Sequence, residues 1–166
     1  MKNNLRIGIG YDAHPLVPGR KLVLGGIEIP FERGLDGWSD ADALTHAIID
    51  ALLGAAARGD IGSHFPPGEA PYKDISSLVL LEKIKKELAE NGWQVVNIDA
   101  TILAERPRMR DFIDRMRQKL SQTLGINISR VSVKASTSNG LGFTGRGEGI
   151  AVQAIALIEG GKDEGI

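Results

Sequence analysis

The chain of 166 residues contains no cysteine. That absence excludes disulfide scaffolds, cysteine-ligated zinc, iron–sulfur clusters and thiol nucleophiles together. Aromatic residues are sparse at 5%, and neither sign of charge dominates, since 20 Lys and Arg against 21 Asp and Glu leave −1. No global field draws the chain to nucleic acid or to anionic lipid, so neither partner is expected. The longest apolar stretch, Ala51–Ala57, falls far short of the ~20 residues of a membrane-spanning helix. Met1–Gly10 has no continuous apolar segment of the secretory type. No signal peptide is expected, and the lack of cysteine fits a cytoplasmic location.

What is present suits one globular domain. Apolar residues make up 42% and charged residues 25%, and a chain of this size buries roughly 70% of its unfolded surface. The one excess is glycine, 21 residues where roughly 7% is usual.

Leu5–Tyr11 alternates Leu5, Ile7, Ile9 and Tyr11 with Arg6, Gly8 and Gly10, which predicts a strand. Pro15, Pro18 and Gly19 predict a loop, Lys21–Leu24 and Ile27–Ile29 a hairpin around Gly25-Gly26, and Gly34–Trp38 a further loop. Ser39 is positioned to cap a helix with Asp42 three residues on. That helix is expected to run to Arg58, burying Leu44, Ile48, Ala51, Leu52 and Ala55. Asp60–Asp74 is rich in Pro and Gly and predicts a long loop of the kind that carries function. A helix from Ser76 to Glu90, a strand at Val95–Leu103, and a helix marked by Met109, Phe112, Ile113, Met116 and Leu120 follow. Strands at Val131–Ala135 and Ile150–Ile158 flank a Gly-rich segment. The order predicts an α/β (α+β) fold: a single mixed β-sheet with helices packed on one face. It occupies residues 1–159, with 160–166 a frayed tail.

Chemistry concentrates near the N-terminus. Asp12 and His14 stand at i and i+2 at the end of the first strand, which puts both on one face. Asp42, His46 and Asp50 share one edge of the first helix. Together Asp12, His14 and His46 make a one-carboxylate, two-imidazole set that leaves a fourth tetrahedral position open, as in catalytic zinc sites. Taken singly, an Asp-x-His is more often a strand-end hydrogen bond and a helical His beside Asp a structural one. His64, before Phe65-Pro66-Pro67, is expected at the surface. Gly8-Ile9-Gly10-Tyr11-Asp12-Ala13 fits the letters of a dinucleotide fingerprint, but Pro15 and Pro18 follow where a helix must open, which excludes it. The glycines between Gly142 and Gly149 can expose N–H groups to an anion or simply turn the chain. Arg106, Arg108 and Arg110 at the entry to the third helix suit phosphate or a solvated loop.

Four segments carry a family resemblance: Tyr11–His14, Ser39-Asp40-Ala41-Asp42-Ala43-Leu44-Thr45-His46-Ala47-Ile48-Ile49-Asp50, Gly59–Gly62 and Gly142-Phe143-Thr144-Gly145-Arg146-Gly147-Glu148-Gly149. With collinear spacing from Arg6 to Glu159, the chain resembles the 2-C-methyl-D-erythritol 2,4-cyclodiphosphate synthase family. The resemblance implies closure of 4-diphosphocytidyl-2-C-methyl-D-erythritol 2-phosphate into the cyclic diphosphate with loss of CMP. It implies a homotrimer with active sites between subunits. Asp12, His14 and His46 then become ligands of one Zn²⁺ per subunit, with a second divalent cation, Mg²⁺ or Mn²⁺, on the substrate phosphates. Asp12, His14, Trp38, Ser39, Asp60, Ile61 and Gly62 would contact the phosphates and the sugar-derived part, and Phe65 to Glu69 would form a mobile substrate loop. Ala104, Pro107, Arg108, Met109 and Arg110 would line a cytidine pocket. Ser136, Thr137, Ser138 and Asn139 would hold the diphosphate, with Thr137 and Trp38 in catalytic roles. Phe143 and Arg146 would face the site or the trimer axis, where Arg146 and Glu148 would bind an anion or isoprenoid diphosphate.

Three departures from the family pattern stand out. Trp38 replaces a phosphate-touching histidine, a contact that a backbone N–H can keep while the ring covers the pocket. Asn139 replaces an acidic residue near Mg²⁺, which implies weaker Mg²⁺ binding. Pro67 and Glu69 stand where Asp is common. Two other functions share these features: a non-catalytic trimeric metal- or nucleotide-binding module, and a zinc-dependent nucleotide phosphohydrolase.

Overall fold

The computed structural model describes residues 4–160, so the expected tail lies outside the described residues apart from Gly160. The elements in chain order are strands β1 (Leu5–Pro18), β2 (Leu22–Leu24), β3 (Ile27–Ile29) and β4 (Arg33–Leu35), then helices α1 (Ala43–Ala55), α2 (Ile61–His64) and α3 (Ser77–Glu90). Strand β5 (Trp93–Leu103), helix α4 (Ile113–Leu124), strand β6 (Val131–Ser136), the short helix α5 (Gly142–Gly145) and strand β7 (Gly149–Gly160) complete the fold. A five-stranded mixed sheet has the order β4-β1-β7-β5-β6, and β2 and β3 form a separate hairpin. β1 pairs antiparallel with β7 from Leu5↔Glu159 to Pro15↔Gly149, and β5 pairs antiparallel with β7. β5 and β6 run parallel. β1, β5 and β6 therefore all finish at one end of the sheet, and β7 begins there. No helix among the described residues is long and apolar enough to cross a membrane.

The predicted strand at Leu5–Tyr11 extends through Pro15 to Pro18, and the loop expected over Gly34–Trp38 begins inside the short edge strand β4. Pairing explains both. Pro15 lies opposite Gly149, and Leu16 to Pro18 pair with Leu35 to Arg33 at the sheet edge, where prolines are tolerated.

The alternation in β1 has an unusual sense. Ile7 and Ile9 are 69% and 71% exposed, and Leu5 and Tyr11 are exposed with them, whereas the glycines face α1. A Cβ at Gly8 would stand 2.0 Å from the Ala51 carbonyl oxygen, and one at Gly10 1.9 Å from that of Ala47. Gly8 and Gly10 are thus a bed for a helix, which is why they mimic a nucleotide fingerprint without being one. Asp12 and His14 continue the same parity and so also face α1.

Helix α1 is buried on most of its surface, with Leu44, Ile48, Ile49, Leu52 and Leu53 fully buried, as befits a predominantly apolar helix in the core. It packs on β1, β7 and β5 and is covered by α3. Each such Leu or Ile contributes roughly 1.5–3 kcal/mol by leaving water. Its cap differs from the expectation. Asp42, not Ser39, caps α1, accepting from the Thr45 N–H at 3.0 Å and the Thr45 hydroxyl at 2.8 Å. The same carboxylate accepts from Gly25 and Gly26 at 2.9 and 2.7 Å, which ties the β2–β3 turn to the helix. Burial raises the Asp42 pKa, as does Asp40, while these donors pull against it. The helix ends at Ala55 rather than Arg58, with Ala57 at φ 56° in the left-handed region.

Helix α4 starts at Ile113 rather than at Met109, with Met116, Leu120 and Leu124 buried and Gly125 closing it at φ 68°. The Gly-rich segment is neither an open turn nor an extended loop, because Gly142–Gly145 forms a helical turn.

Candidate metal centre and its flanking pockets

Asp12 and His14 from β1 meet His46 from α1, and their ligand atoms all lie within 4.8 Å of one another. The Oδ2 of Asp12 is 2.9 Å from Nε2 of His14 and 3.1 Å from Nδ1 of His46. Asp42 and Asp50, which share the edge of α1 with His46, turn elsewhere. Asp42 serves the cap, and Asp50 accepts the Ile61 N–H at 2.7 Å. Burial raises the Asp50 pKa, with Asp12 and Asp60 adding to the effect and the Ile61 N–H opposing it.

The protonation pattern points to a cation. Nδ1 of His14 lies 2.7 Å from the Asp36 carbonyl oxygen, which can only accept, so Nδ1 carries a proton. In the neutral imidazole, Nε2 then holds a lone pair. This buried atom has no aligned hydrogen-bond partner and faces the Asp12 carboxylate. Two acceptors turned toward each other call for a positive charge between them. Without metal a proton takes that place: burial works against charge on His14, but Asp12 and the Asp36 carbonyl outweigh it and raise its pKa above the ordinary value. Burial likewise works against the Asp12 carboxylate, and the two imidazoles outweigh it, bringing its pKa to about 2. One carboxylate and two imidazoles fit a borderline divalent ion such as zinc.

A cavity of about 200 Å³ opens beside this cluster, lined by Asp12, His14, Trp38, Ser39, His46, Ile61, Gly62, Phe65, Pro67, Tyr72 and Leu80. Trp38 closes one side, its Nε1 donating to the Glu69 carbonyl at 2.9 Å, so the indole ties the 65–72 loop down. Phe65 and Tyr72 stack edge to face at 5.4 Å. Asp60 does not line the cavity. It caps α2, accepting from the Ser63 N–H and hydroxyl at 2.8 Å, and these bonds lower its pKa. Glu69 meets the site only through its carbonyl. His64 is part-buried rather than free at the surface: its Nε2 lies 2.9 Å from the Arg58 carbonyl and its Nδ1 3.3 Å from Glu87.

A second cavity of about 550 Å³ lies at the same end of the sheet, between β6 and the turn before α4. Ala104, Pro107, Arg108, Met109, Arg110, Ser136 and Thr137 line it, with Glu105, Ile113 and Ala135. It shares no lining residue with the first cavity. Strand β7 separates β1 from β5, so the two pockets stand on different parts of the sheet end. Glu105, without signal in the sequence, shapes the turn beyond β6 by accepting from the N–H groups of Ser138 and Gly140 at 3.0 and 3.1 Å. Asn139 adopts φ 52° there, a conformation that Asn tolerates better than most residues. Phe143 and Arg146 line neither cavity. Arg146 pairs with Glu148 at 2.7 Å on the exposed surface, which raises the Arg pKa and lowers the Glu pKa. The sequence also left unmarked Asp36, which orients His14, and Ser77, whose hydroxyl lies 2.8 Å from Nε2 of His46.

Comparison with known proteins follows the same lines. The YgbB family matches residues 5–159. A 2-C-methyl-D-erythritol 2,4-cyclodiphosphate synthase from Dehalococcoides mccartyi is 59% identical over 155 residues, 93% of this chain and 99% of the relative. A bifunctional IspDF from Campylobacter jejuni superposes with a TM-score of 0.92 at 36% identity, covering 96% of this chain, which spans only 43% of that one. An IspF–CDP complex from Plasmodium falciparum superposes with a TM-score of 0.84 at 28% identity, covering 98% of this chain and 100% of the other.

Proposed function

From the premise that the chain belongs to the YgbB family of 2-C-methyl-D-erythritol 2,4-cyclodiphosphate synthases, we propose how its residues serve that reaction. An oxygen of the substrate's 2-phosphate attacks the β-phosphorus of the cytidine diphosphate group. The bond from that phosphorus to the bridging oxygen breaks, and CMP leaves. The nucleophile belongs to the substrate, so the chain needs no Ser or Cys nucleophile, only orientation and charge neutralisation.

The observation that carries this reading is the facing pair of acceptors, the buried Nε2 of His14 and Oδ2 of Asp12, completed by His46. These three residues would hold Zn²⁺. When bound, it supplies a Lewis acid and a template for phosphate oxygens. A second divalent ion, Mg²⁺ or Mn²⁺, would sit on the substrate phosphates, to which Asn139 offers only a neutral amide oxygen. Trp38 and Ser39 border the phosphates, and Ile61, Gly62 and the Phe65–Glu69 loop enclose the methylerythritol part, with Asp60 holding α2 in place. Ala104, Pro107, Arg108, Met109 and Arg110 take the cytidine. Ser136 to Asn139 take the diphosphate, where the Thr137 hydroxyl donates to the phosphoryl oxygens on which charge develops.

The active unit is a homotrimer. Its support is the row of exposed Leu5, Ile7, Ile9, Tyr11 and Ile155 on the sheet face away from the helices, an apolar patch that water alone does not suit. The metal cluster and the cytidine cavity share no lining residue, so we place each active site between the metal cluster of one subunit and the cytidine cavity of the next. Phe143, Arg146 and Glu148 would stand near the axis, with Arg146 available to an anion such as an isoprenoid diphosphate. We assign the enzyme to the cytoplasm, where its water-soluble substrate would lie.

Phosphorus NMR of the product, with Zn²⁺ and Mg²⁺ present, tests the proposal. CMP together with a cyclic diphosphate is expected. A linear monophosphate would identify a phosphohydrolase, and zinc uptake without CMP release a binding module.

A further inference from the structure

The ring of His46 has a second neighbourhood, on the side away from Asp12. Its Nε2 lies 2.8 Å from the Ser77 hydroxyl and 3.2 Å from that of Ser39. Ser77 is fully buried at the first turn of α3, and its Oγ makes a short hydrogen bond to Oδ1 of Asp40. Asp40 also accepts from the N–H groups of Ser77 and Asp42 at 2.9 and 3.1 Å. In all three of these hydrogen bonds Asp40 is the acceptor.

The direction of every hydrogen bond then follows by elimination. Ser77 has one hydroxyl proton, and Asp40 takes it. Toward His46, the Ser77 oxygen presents only lone pairs. At 2.8 Å a bare Nε2 would set lone pair against lone pair, so Nε2 must carry the proton and donate it. Ser39 is the longer contact, at 3.2 Å, and its second lone pair can share the same Nε2 proton while it accepts the Ala41 N–H, so the 2.8 Å contact to Ser77 sets the direction. With the proton on Nε2, the lone pair of neutral His46 is on Nδ1, the atom that faces Asp12.

We propose that Asp40 and Ser77 are positioning residues of the metal centre, acting through His46 by fixing its tautomer and ring orientation so that Nδ1 is presented to the ion. His14 reaches the same end with the opposite nitrogen, its Nδ1 proton held by the Asp36 carbonyl and its Nε2 turned inward. The centre therefore uses one histidine through each ring nitrogen, each selected by an acceptor on its outer side. Such outer partners typically account for 10–100-fold in metal affinity. The arrangement also ties α3 to the site, because Asp40 receives the Ser77 N–H at the start of that helix. The inference rests on the metal reading above and adds to it residues that touch neither ion nor substrate.

Zinc affinity, measured by competition with a chromophoric chelator, and the histidine tautomers, read by nitrogen-15 NMR, form the test. In Ser77→Ala, zinc affinity is expected to fall 10–100-fold with the metal-free chain still folded by circular dichroism. Ser77→Thr, which keeps the hydroxyl, should recover most of the loss. In the zinc-loaded wild-type chain, His46 is expected to carry its proton on Nε2 and His14 on Nδ1. A proton on Nδ1 of His46 would overturn the proposal without any variant, so the test survives even if Ser77→Ala fails to fold. Unchanged zinc affinity in Ser77→Ala, against a wild type that binds zinc, would overturn the positioning role alone. A wild-type chain that takes up no zinc would instead overturn the metal reading beneath it.

Discussion

Replacing Gly10 by alanine tests whether the bare backbone of β1 is what brings the metal ligands together. The added Cβ would stand 1.9 Å from the Ala47 carbonyl oxygen and 2.7 Å from the Ala51 nitrogen, both backbone atoms that no side-chain rotation can move. Reaching a tolerable 3.0–3.4 Å requires strand and helix to separate by about 1.1–1.5 Å. Ala47 is the residue after His46, so the ring carrying Nδ1 moves with it, away from an Asp12 oxygen now 3.1 Å distant. Zinc ligands tolerate only about ±0.2 Å around their bond lengths. Overpacking costs roughly 1–3 kcal/mol, and alanine recovers ~0.4–1 kcal/mol by restricting the unfolded chain. The net loss is about 1–2 kcal/mol, or roughly 2–8 °C in Tm for a domain of this length. Weakening one ligand by about 2.7 kcal/mol lowers zinc affinity roughly 100-fold. Gly8→Ala is the control. Its Cβ would meet Ala51 and Ala55 at 2.0 and 2.4 Å, farther along the helix from His46. A similar stability loss is expected there with a smaller effect on zinc. Chelator competition and thermal unfolding read the two effects separately, and a Gly10→Ala chain that binds zinc as tightly as wild type would refute the reasoning.

Zinc affinity should also depend on pH. The raised pKa of His14 means that its ion pair with Asp12 stabilises the metal-free fold fully below the ordinary imidazole value of ~6.5 and is lost as pH rises through the raised value. Asp12, with its pKa at about 2, keeps its charge throughout that range. Protons and zinc compete for the same lone pair, so affinity should weaken as pH falls from roughly 8 to 5.5, through the imidazole range; a flat profile would contradict histidine ligation. Asn139→Glu should tighten Mg²⁺ by restoring a negative charge, yet lower stability by about 1 kcal/mol because φ at 139 is 52°; equal Mg²⁺ affinity in a titration would sink the charge argument. Trp38→Phe removes the bond from the indole to the Glu69 carbonyl, typically worth ~1 kcal/mol. KM should rise several-fold with kcat less affected, and an unchanged KM would show that the indole does not hold the loop.

How much of this site could be read from the letters depended on how local its geometry is. Asp12 and His14 were legible because strand parity alone places i and i+2 on one face. His46 required the helix to lie against that strand, and the motif spacing pointed to it while also pointing to Asp42 and Asp50. Helical periodicity could not separate the three. What separates them is tertiary: Asp42 is drawn to the β2–β3 turn and Asp50 to the Ile61 N–H, leaving His46 alone toward β1. Asp36, Ser77 and Glu105 were invisible for the same reason. Each acts by meeting a partner more than twenty residues away, and a serine at a helix start or a glutamate beside arginines carries no mark of it.

The strand β1 shows why the apolar pattern gave the element but not its orientation. Alternation of Leu5, Ile7, Ile9 and Tyr11 with Gly8 and Gly10 would ordinarily turn the large apolar residues to the core. Here the glycines face it, because α1 approaches so closely that only a residue without Cβ fits. Both faces of the strand are then explained by one contact. The close approach puts His46 within reach of Asp12 and His14, and it sends the displaced side chains outward, where Ile7 and Ile9 stand 69% and 71% exposed. A lone subunit would leave that row against water, so the geometry that assembles the metal ligands inside one chain also provides the surface on which copies would pair. The candidate metal cluster and the exposed apolar row are in this sense two sides of the same run of residues, and a substitution at Gly10 should disturb the first while leaving the second chemically intact.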